Sequence, residues 1–344
     1  MALFNRIDKR ILKKRLQQIP YQRTTLSFYK YHQIADPQSF RNELYLGLDR
    51  LNVWGRIYVA HEGINGQISV PSQYFNDLRD FLYSISFLNE VRLNVAVEDN
   101  GKSFFKLKIL VRKKIVADGL NDSTFDVTDS GKHLDAKSFN SLTEDPNTVI
   151  VDMRNHYESE VGHFMNAICP DVDTFRDSLP VVEKILEDKK QNNIVMYCTG
   201  GIRCEKASAW LKHRGFKQVY QLNGGIIEYA RQVQEQGLEN KFVGKNFVFD
   251  ERLGERISNT IISVCHQCGN PCDTHTNCKN DGCHLLFIQC PECAEKMQGC
   301  CSAECKEVIN LPEEIQKEMR KGINKGRQVF KKGRSAKILF TTKV

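Results

Sequence analysis

The sequence predicts a multidomain protein of mixed α/β and α+β class, and three observations lead to that prediction. Residues 24–127 show strand-like and helix-like patterns in the order βαββαβ. Residues 128–236 contain short, wholly apolar strands that alternate with helical patterns, as in a doubly wound parallel sheet. Ten of the thirteen cysteines lie in a later stretch, between Cys265 and Cys305. We therefore expect two folded domains, followed by a linker and Cys-rich segment over residues 237–311.

The first domain is predicted to be a ferredoxin-like α+β sandwich. Its opening strand precedes a helix that begins at Asp36 and Pro37, residue types that favour helix N-termini. Two strands joined at Glu62–Gly66 follow. A second helix with Pro71 at its start and two further strands complete the pattern.

The second domain is predicted to place ligands at the carboxyl ends of its parallel strands. The stretches TVIVDMR and NIVMYC are its apolar strands. Helical patterns occupy residues 173–188, 203–215 and 224–237.

The composition is that of a protein with folded cores, because 41% of the residues are hydrophobic and 26% are charged. No run of about 18 apolar residues occurs, so we expect no membrane span. The first residues also lack the apolar stretch of a secretory signal. A cytoplasmic location is therefore predicted.

The net charge of +7 is concentrated at the two ends of the chain. Residues 1–23, predicted as a basic N-terminal helix, carry +6, and the basic tail 312–344 carries +7, which leaves −6 for the body. Basic ends can bind nucleic-acid phosphates while an acidic body avoids nonspecific coating. Solvated ends that serve solubility, or a membrane-surface helix, are the alternatives.

Cys198 is the predicted catalytic residue, because it directly follows an apolar strand and precedes a helix. Glycines in the loop let successive backbone N–H groups point inward, and the helix adds its positive end. Such a cradle lowers the pKa of a thiol and can hold a thiolate, a persulfide or an oxyanion. A small buried residue that closes a strand is the alternative. The cradle comprises Thr199, Gly200, Gly201, Ile202 and Arg203.

Supporting residues are predicted at the end of the preceding strand and in the following helix. Asp152 and Arg154 are two apart and share a strand face, so Arg154 would clamp an anion while Asp152 braces it or moves a proton. An internal salt bridge or a helix cap is the alternative for Asp152 and Glu158. Cys204, one turn into the helix, is either a resolving thiol or part of a packed helix face.

The Cys-rich segment is predicted to bind metal or to carry out redox chemistry, because no signal peptide directs it to an oxidising compartment. Cys265-x2-Cys268 and Cys290-x2-Cys293 have a spacing close to that of paired zinc knuckles. A structural Zn²⁺ is the favoured interpretation, with reduced thiols or disulfides as alternatives. The other six cysteines could form a second site, in which histidines could substitute.

Several motifs resemble known proteins. The loop CTGGIR, the upstream D-x-R…E…GH pattern and GFKQVYQLNGGI resemble a rhodanese domain, although GHFMNA departs from the usual sequence after its glycine and histidine. Beyond that domain, AHEGINGQ, GKNFVFDERLGERI and the Cys-rich stretch closely resemble the bacterial rhodanese-like tRNA uridine hydroxylases. The resemblance spans roughly residues 20–305 and places that family's catalytic cysteine at Cys198.

The resemblance implies an enzyme that makes 5-hydroxyuridine at the wobble position of tRNA, with molecular oxygen as co-substrate. A sulfurtransferase that works through a Cys198 persulfide and a noncatalytic RNA-binding adaptor are the alternatives. The sequence shows no flavin fingerprint and no 2-His-1-carboxylate iron triad, so the electron donor is left open. The predicted partner is tRNA, and neither DNA nor a membrane is expected.

Overall fold

The computed structural model describes residues 7, 9–122, 124–322 and 333–342, and all structural statements below refer to them. The predictions for residues 1–6, 8, 123, 323–332 and 343–344 lie outside this part of the chain. A basic helix, α1 (Lys9–Gln17), opens the described structure with Leu12 and Leu16 buried. No described helix is long and apolar enough to cross a lipid bilayer.

The first domain has the predicted ferredoxin-like topology. Its elements are β1 (Arg23–Tyr31), α2 (Pro37–Arg50), β2 (Trp54–Ala60), β3 (Gly63–Pro71), α3 (Phe75–Tyr83), β4 (Asn94–Val95) and β5 (Leu107–Val111). The sheet order is β4-β1-β3-β2-β5, and every pair is antiparallel except β2 with β5. The helix cap predicted at Asp36 is present, since its side chain accepts from two backbone N–H groups.

The hairpin between β2 and β3 is tighter than the prediction. Gly63 pairs with Ala60 across the two strands, so the turn consists of His61 and Glu62, and the joint predicted at Glu62–Gly66 is wrong. Gly63 has φ +142°, and a Cβ there would lie 2.0 Å from the carbonyl of Lys30 on β1. The absence of a side chain at Gly63 therefore permits its close pairing with β1.

Successive side chains of a strand point to opposite faces of the sheet, and the two faces of this sheet have different surroundings. Ile57, Ile64 and Ile68 point to one face and pack in an apolar core with residues of α2 and α3. The intervening residues, including Tyr58 and Asn65, point to the other face and line a cavity.

The second domain is the predicted doubly wound α/β domain. Its strands are β6 (Lys132–Leu134), β7 (Thr148–Asp152), β8 (Gly162–Phe164), β9 (Asn193–Tyr197) and β10 (Gln218–Leu222). Its helices are α4 (Ala136–Leu142), α5 (His156–Ser159), α6 (Phe175–Ile185), α7 (Ile202–His213) and α8 (Gly225–Gln236). The main sheet is wholly parallel in the order β6-β10-β9-β7.

Strand β9 shows why this sheet is buried on both sides. Ile194 and Met196 pack with α6 and α7, while Val195 and Tyr197 pack with α4 and α8. Every residue from Ile194 to Tyr197 is therefore buried, which explains the unbroken apolar run in the sequence.

The C-terminal part begins with strands that extend the second domain. Its elements are β11 (Phe242–Asn246), β12 (Glu255–Arg256), β13 (His275–Asn277), β14 (Leu286–Ile288), α9 (Pro291–Lys296), α10 (Ala303–Ile309) and α11 (Glu313–Arg320). Strands β12, β11 and β8 form one small antiparallel sheet, and β13 with β14 forms another. Residues 333–342 pack back onto the Cys-rich segment, where the Leu339 N–H donates to the His266 carbonyl over 3.0 Å.

Candidate active site

Cys198 lies in a tight loop between a buried strand and a helix. Strand β9 ends at Tyr197 and α7 begins at Ile202. Gly201 precedes the helix with φ +99°, a conformation that favours glycine, and a Cβ there would lie 2.8 Å from the Tyr29 hydroxyl. The Gly201 N–H donates to the Cys198 sulfur over 3.2 Å. The loop thus directs a backbone donor at the thiol, as an anion cradle does.

The surroundings of Cys198 favour its thiolate form. The residue is 1% exposed, and burial by itself would raise its pKa. A hydrogen bond from the Cys204 thiol, the charge of Arg203 and the backbone N–H groups of these two residues outweigh burial, and they lower the pKa of Cys198 to about 6. At neutral pH the sulfur is therefore mainly anionic and nucleophilic.

Arg203 is held beside this sulfur by a buried ion pair. Its two terminal nitrogens donate to the two carboxylate oxygens of Glu158 over 2.7 and 2.8 Å. Glu158 is fully buried in α5, where its Oε1 also accepts from the Asn155 N–H over 3.0 Å as part of a capping box. Glu158 therefore holds the Arg203 guanidinium in place, and its supporting role in catalysis stays a prediction.

Cys204 lies on the packed face of α7, and its role as a resolving thiol stays a prediction. It is fully buried in an apolar cluster with Leu179 and Leu211. Burial and the hydrogen bond to Cys198 raise the pKa of Cys204 well above its ordinary value. Cys204 therefore remains a protonated donor to the Cys198 thiolate.

The structure brings Asp152 and Arg154 together but not to the cavity beside Cys198. Arg154 donates from Nε and Nη2 to Asp152 over 2.9 and 2.6 Å, and from Nη2 to the Gly162 carbonyl over 2.6 Å. The fully buried guanidinium lies against the rings of Tyr197 and Phe242. The pair ties the end of β7 to neighbouring strands, and the substrate clamp stays a prediction from the sequence.

Cys198 lines a cavity of about 340 Å³, which is large enough for a small organic ligand. Three separate parts of the chain contribute to its walls: the Cys198 loop, the polar face of the first sheet and residues 248–255. The sheet supplies aromatic rings for stacking and amides for hydrogen bonding. These side chains are Tyr29, Tyr58, Asn65, Gln67 and Asn94.

Buried polar contacts fix the first sheet against the second domain. Lys206 of α7 is 1% exposed, and its Nζ donates to both carboxylate oxygens of Glu62 over 2.9 Å and to Asp118 over 2.5 Å. The Tyr29 hydroxyl donates to Glu205 Oε1 over 3.0 Å. The two halves of the cavity are therefore held in one arrangement.

The third wall contains a carboxyl group that sequence reasoning missed. Glu255 is fully buried in the cavity wall. Its Oε1 accepts a hydrogen bond from Arg252 over 2.6 Å, whereas its Oε2 has no hydrogen-bond partner among the described residues. Burial raises the pKa of Glu255 to about 7, although Arg252 opposes the shift. The stretch GKNFVFDERLGERI suggested a family resemblance, but no period or spacing in it indicated a cavity residue.

The structure gathers the four predicted metal ligands into one group. The sulfur atoms of Cys265, Cys268, Cys290 and Cys293 all lie within 4.8 Å of one another. The distance from Cys268 Sγ to Cys290 Sγ is 3.7 Å. A Zn²⁺ ion with Zn–S bonds of about 2.3 Å and tetrahedral geometry separates its sulfurs by about 3.8 Å, so this donor set fits zinc.

The histidines that could substitute in the predicted second site belong to no cluster of potential metal ligands among the described residues. His266 Nε2 lies 2.8 Å from Glu160 Oε1, and the Ile288 N–H donates to His266 Nδ1 over 3.2 Å. Both ring nitrogens are thus engaged within the protein. Neither His275 nor His284 belongs to a described cluster of potential metal ligands.

Comparison with known families covers most of the chain. A UPF0176 acylphosphatase-like domain matches residues 23–115, a rhodanese-like domain matches 135–232, and a rhodanase C-terminal domain matches 243–306. A solved rhodanese-like domain protein from Staphylococcus aureus aligns with 28% of this chain and 90% of its own, at 23% identity and a TM-score of 0.24.

Curated relatives match almost the full length. The tRNA uridine(34) hydroxylase of Enterobacter sp. is 58% identical over 97% of this chain and 96% of its own. Proteins of that name from Photorhabdus laumondii and Pectobacterium atrosepticum are 56% and 55% identical over 97% of this chain and 95% and 94% of theirs. The resemblance drawn from the sequence motifs is confirmed, and the chain belongs to the tRNA uridine(34) hydroxylase family.

Proposed function

We propose that this protein hydroxylates C5 of uridine 34 in tRNA with molecular oxygen, and that Cys198 is the catalytic thiolate. The observation that carries the proposal is a thiol with a pKa of about 6 in the wall of a cavity of about 340 Å³. The cavity wall also supplies rings and amides suited to one unstacked base. A wobble base lies in a single-stranded loop, so it enters such a cavity without the cost of opening a duplex.

The chemistry uses the electrophilic C6 of the uracil ring. Addition of the Cys198 thiolate to C6 forms a C–S bond and moves electron density to C5, where oxygen is added. Loss of the C5 proton then expels the thiolate from C6 and restores the ring double bond. The net reaction consumes O₂, two electrons from an external reductant and two protons, and the second oxygen atom leaves as water.

Nucleoside analysis of cellular tRNA tests this function. A strain that lacks the protein is expected to lose 5-hydroxyuridine and its derivatives from position 34, and the complemented strain is expected to recover them. Mass spectrometry of the digested tRNA gives the readout. A deletion strain with normal 5-hydroxyuridine but without thiosulfate sulfurtransferase activity would instead identify a sulfur-transfer enzyme.

Glu255 is the general base that we assign to removal of the C5 proton. Its pKa of about 7 makes it a carboxylate over much of the physiological range, and its free Oε2 can accept a proton. Glu255→Gln is expected to lower kcat/KM by roughly 10²-fold, since general bases typically contribute at least that much.

The pH profile distinguishes this role from a structural one. In the wild type, kcat/KM should rise with pH through about 6, as Cys198 ionises, and through about 7, as Glu255 ionises. Glu255→Gln should keep only the inflection near 6. The exposed neighbour Glu251 provides the control, and Glu251→Gln should retain both inflections. A Glu255→Gln enzyme that keeps the inflection near 7 would remove Glu255 from the mechanism.

The N-terminal helix is the part of the predicted basic ends that we assign to tRNA binding. Lys14 and Arg15 are exposed in its last turn. The Lys102 ammonium donates to Gln17 Oε1 over 2.9 Å and so connects the helix to the loop that contains Ser103. The Ser103 carbonyl in turn accepts from the N–H of Glu251, beside the cavity wall. These contacts connect the helix to the segment that contains the third cavity wall, and its exposed cations are suited to bind tRNA phosphates.

Salt titration of tRNA binding tests this surface. Replacing both Lys14 and Arg15 by glutamine should weaken binding and should reduce the slope of log K against log salt by about 1.4 to 1.8, at about 0.7 to 0.9 per phosphate contact. The matched control replaces two exposed lysines elsewhere, Lys184 and Lys217, and should leave the slope unchanged. Equal slopes for the two double variants would make the basic helix a solubility device.

The first cysteine group is proposed to hold a structural Zn²⁺ through Cys265, Cys268, Cys290 and Cys293. Its core includes Tyr157 and Phe247, which adjoin Glu158 and the cavity wall respectively. A bound ion supplies folding free energy to this part of the chain. The zinc site therefore supports the position of the residues around Cys198 and takes no part in the chemistry.

A further inference from the structure

A second group of cysteines lies in the C-terminal part, apart from the one just described. The sulfur atoms of Cys278, Cys283, Cys301 and Cys305 all lie within 4.8 Å of one another. Cys301 Sγ is 3.6 Å from Cys283 Sγ and 3.7 Å from Cys305 Sγ. These separations match the edge of about 3.8 Å of a zinc tetrathiolate. A disulfide would join only two of the four sulfurs, at about 2.0 Å.

We propose that these four cysteines bind a second Zn²⁺ and that the two ions cross-brace the segment. Along the chain, the ligand pairs alternate between the sites. Cys265 and Cys268 belong to the first site, the pair 278/283 to the second, the pair 290/293 to the first and the pair 301/305 to the second. Each ion therefore closes a loop that contains a ligand pair of the other. This proposal is independent of the reaction assigned to Cys198.

Strand β14 separates the two proposed sites. Side chains alternate across a strand, so successive residues point to opposite sides. Leu286 and Ile288 pack in the core that contains the first cysteine group, whereas Leu285 and Phe287 pack with Cys278, Cys301 and Cys305. One short hydrophobic run thereby covers a metal site on each side. This arrangement accounts for four consecutive buried apolar residues in a segment with few other large ones.

The second site also has donors suited to thiolates. The Cys301 N–H points at the Cys278 sulfur over 3.5 Å, and the Lys337 ammonium lies 3.7 Å from the Cys305 sulfur. Four thiolates and one Zn²⁺ together carry a net charge of −2, and these two donors partly offset it. A cluster of several irons would hold its four cysteines further apart. The compact donor set therefore fits one tetrahedral ion. Zinc is redox-inert and is commonly bound by four thiolates in this geometry.

The proposed sites are joined by direct contacts. Gln267 lies between the ligands Cys265 and Cys268 of the first site, and its side chain donates to the Cys300 carbonyl over 2.9 Å. Cys300 immediately precedes the second-site ligand Cys301. Loss of the second ion should therefore loosen the first site as well, so removal of one ligand can release more than one equivalent of zinc.

Adjacent cysteines give a matched pair of variants. Cys300 and Cys301 are both buried, but only Cys301 belongs to the second group. Elemental analysis and native mass spectrometry of the full-length protein, purified without chelators, should show two zinc ions per chain. Cys301→Ser should reduce this number to one or fewer, whereas Cys300→Ser should retain two. Two zinc ions in Cys301→Ser, a single zinc in the wild type, or iron in place of zinc would overturn the proposal.

Alkylation of the wild-type protein tests both sites without any variant. Cys268 is exposed and Cys283 is half-buried, so each thiol should react with iodoacetamide if it binds no metal. With zinc bound, peptide mapping should find both protected, and a strong chelator should make both reactive. Rapid reaction of Cys283 while Cys268 stays protected would refute the second site and leave the first intact. Rapid reaction of both would refute both zinc sites and would leave the assignment of Cys198 untouched.

Discussion

Replacing Cys198 by serine is expected to abolish 5-hydroxyuridine formation, with a fall in activity of roughly 10³-fold or more, as loss of an enzymatic nucleophile typically causes. The two side chains differ by one atom, but the loop lowers the pKa of the thiol to about 6, whereas a serine hydroxyl stays protonated near neutral pH. A deletion strain complemented with each variant, followed by mass spectrometry of tRNA nucleosides, measures the effect.

Two other cysteines provide controls for this experiment. Cys169 lies outside the cavity lining, so Cys169→Ser should retain full activity. Cys204→Ala removes a hydrogen bond to the thiolate and should raise the pKa of Cys198, so activity should fall at low pH and recover as pH rises. Normal amounts of the modified nucleoside in the Cys198→Ser strain would refute the proposed nucleophile.

Replacing Arg203 by methionine is expected to produce the largest loss of stability among the changes considered, because it leaves the Glu158 carboxylate buried without its partner. Breaking a buried pair in this way costs about 3–5 kcal/mol. The same change removes the nearby positive charge and should raise the pKa of Cys198. Thermal unfolding measures the first effect, and the pH dependence of Cys198 alkylation, read by peptide mapping, measures the second.

A double variant separates these two effects. Changing Glu158 to glutamine in the Arg203→Met background removes the unpaired charge, so much of the lost stability should return. The pKa of Cys198 should nevertheless stay raised, because the guanidinium is still absent. Recovery of a normal alkylation profile in the double variant would show that Arg203 affects Cys198 only through the fold.

Much of the fold follows from periodicity that a single sequence displays. The unbroken apolar run of β9 predicted a buried parallel strand, because both of its faces pack against helices. The turn predicted at Glu62–Gly66 is misplaced, because the strands already pair at Ala60 and Gly63. At Gly63 the absence of a side chain permits close approach of β1.

The Cys198 loop could be predicted, whereas the other walls of the cavity could not. Cys198 and its glycines are consecutive, so their chemistry is local. Alternation along β2 and β3 indicates that Tyr58 and Asn65 share a face, but not which part of the chain covers that face. Burial, with a smaller contribution from the charge of Asp250, raises the pKa of Glu255 to about 7, and a sequence does not display that burial. Arg154 follows β7 as predicted, but the direction of its side chain depends on contacts with Gly162 and Phe242.

The Lys206 contacts oppose a change in the relative position of the first sheet and α7. An ammonium group bound by both Glu62 and Asp118, almost without access to water, makes hinge opening between the first sheet and α7 costly, because opening would separate buried charges. The cavity is thus preorganised. Under the proposed function, the conformational change of recognition is then expected in the RNA, whose wobble nucleotide has to leave the anticodon stack to reach the cavity.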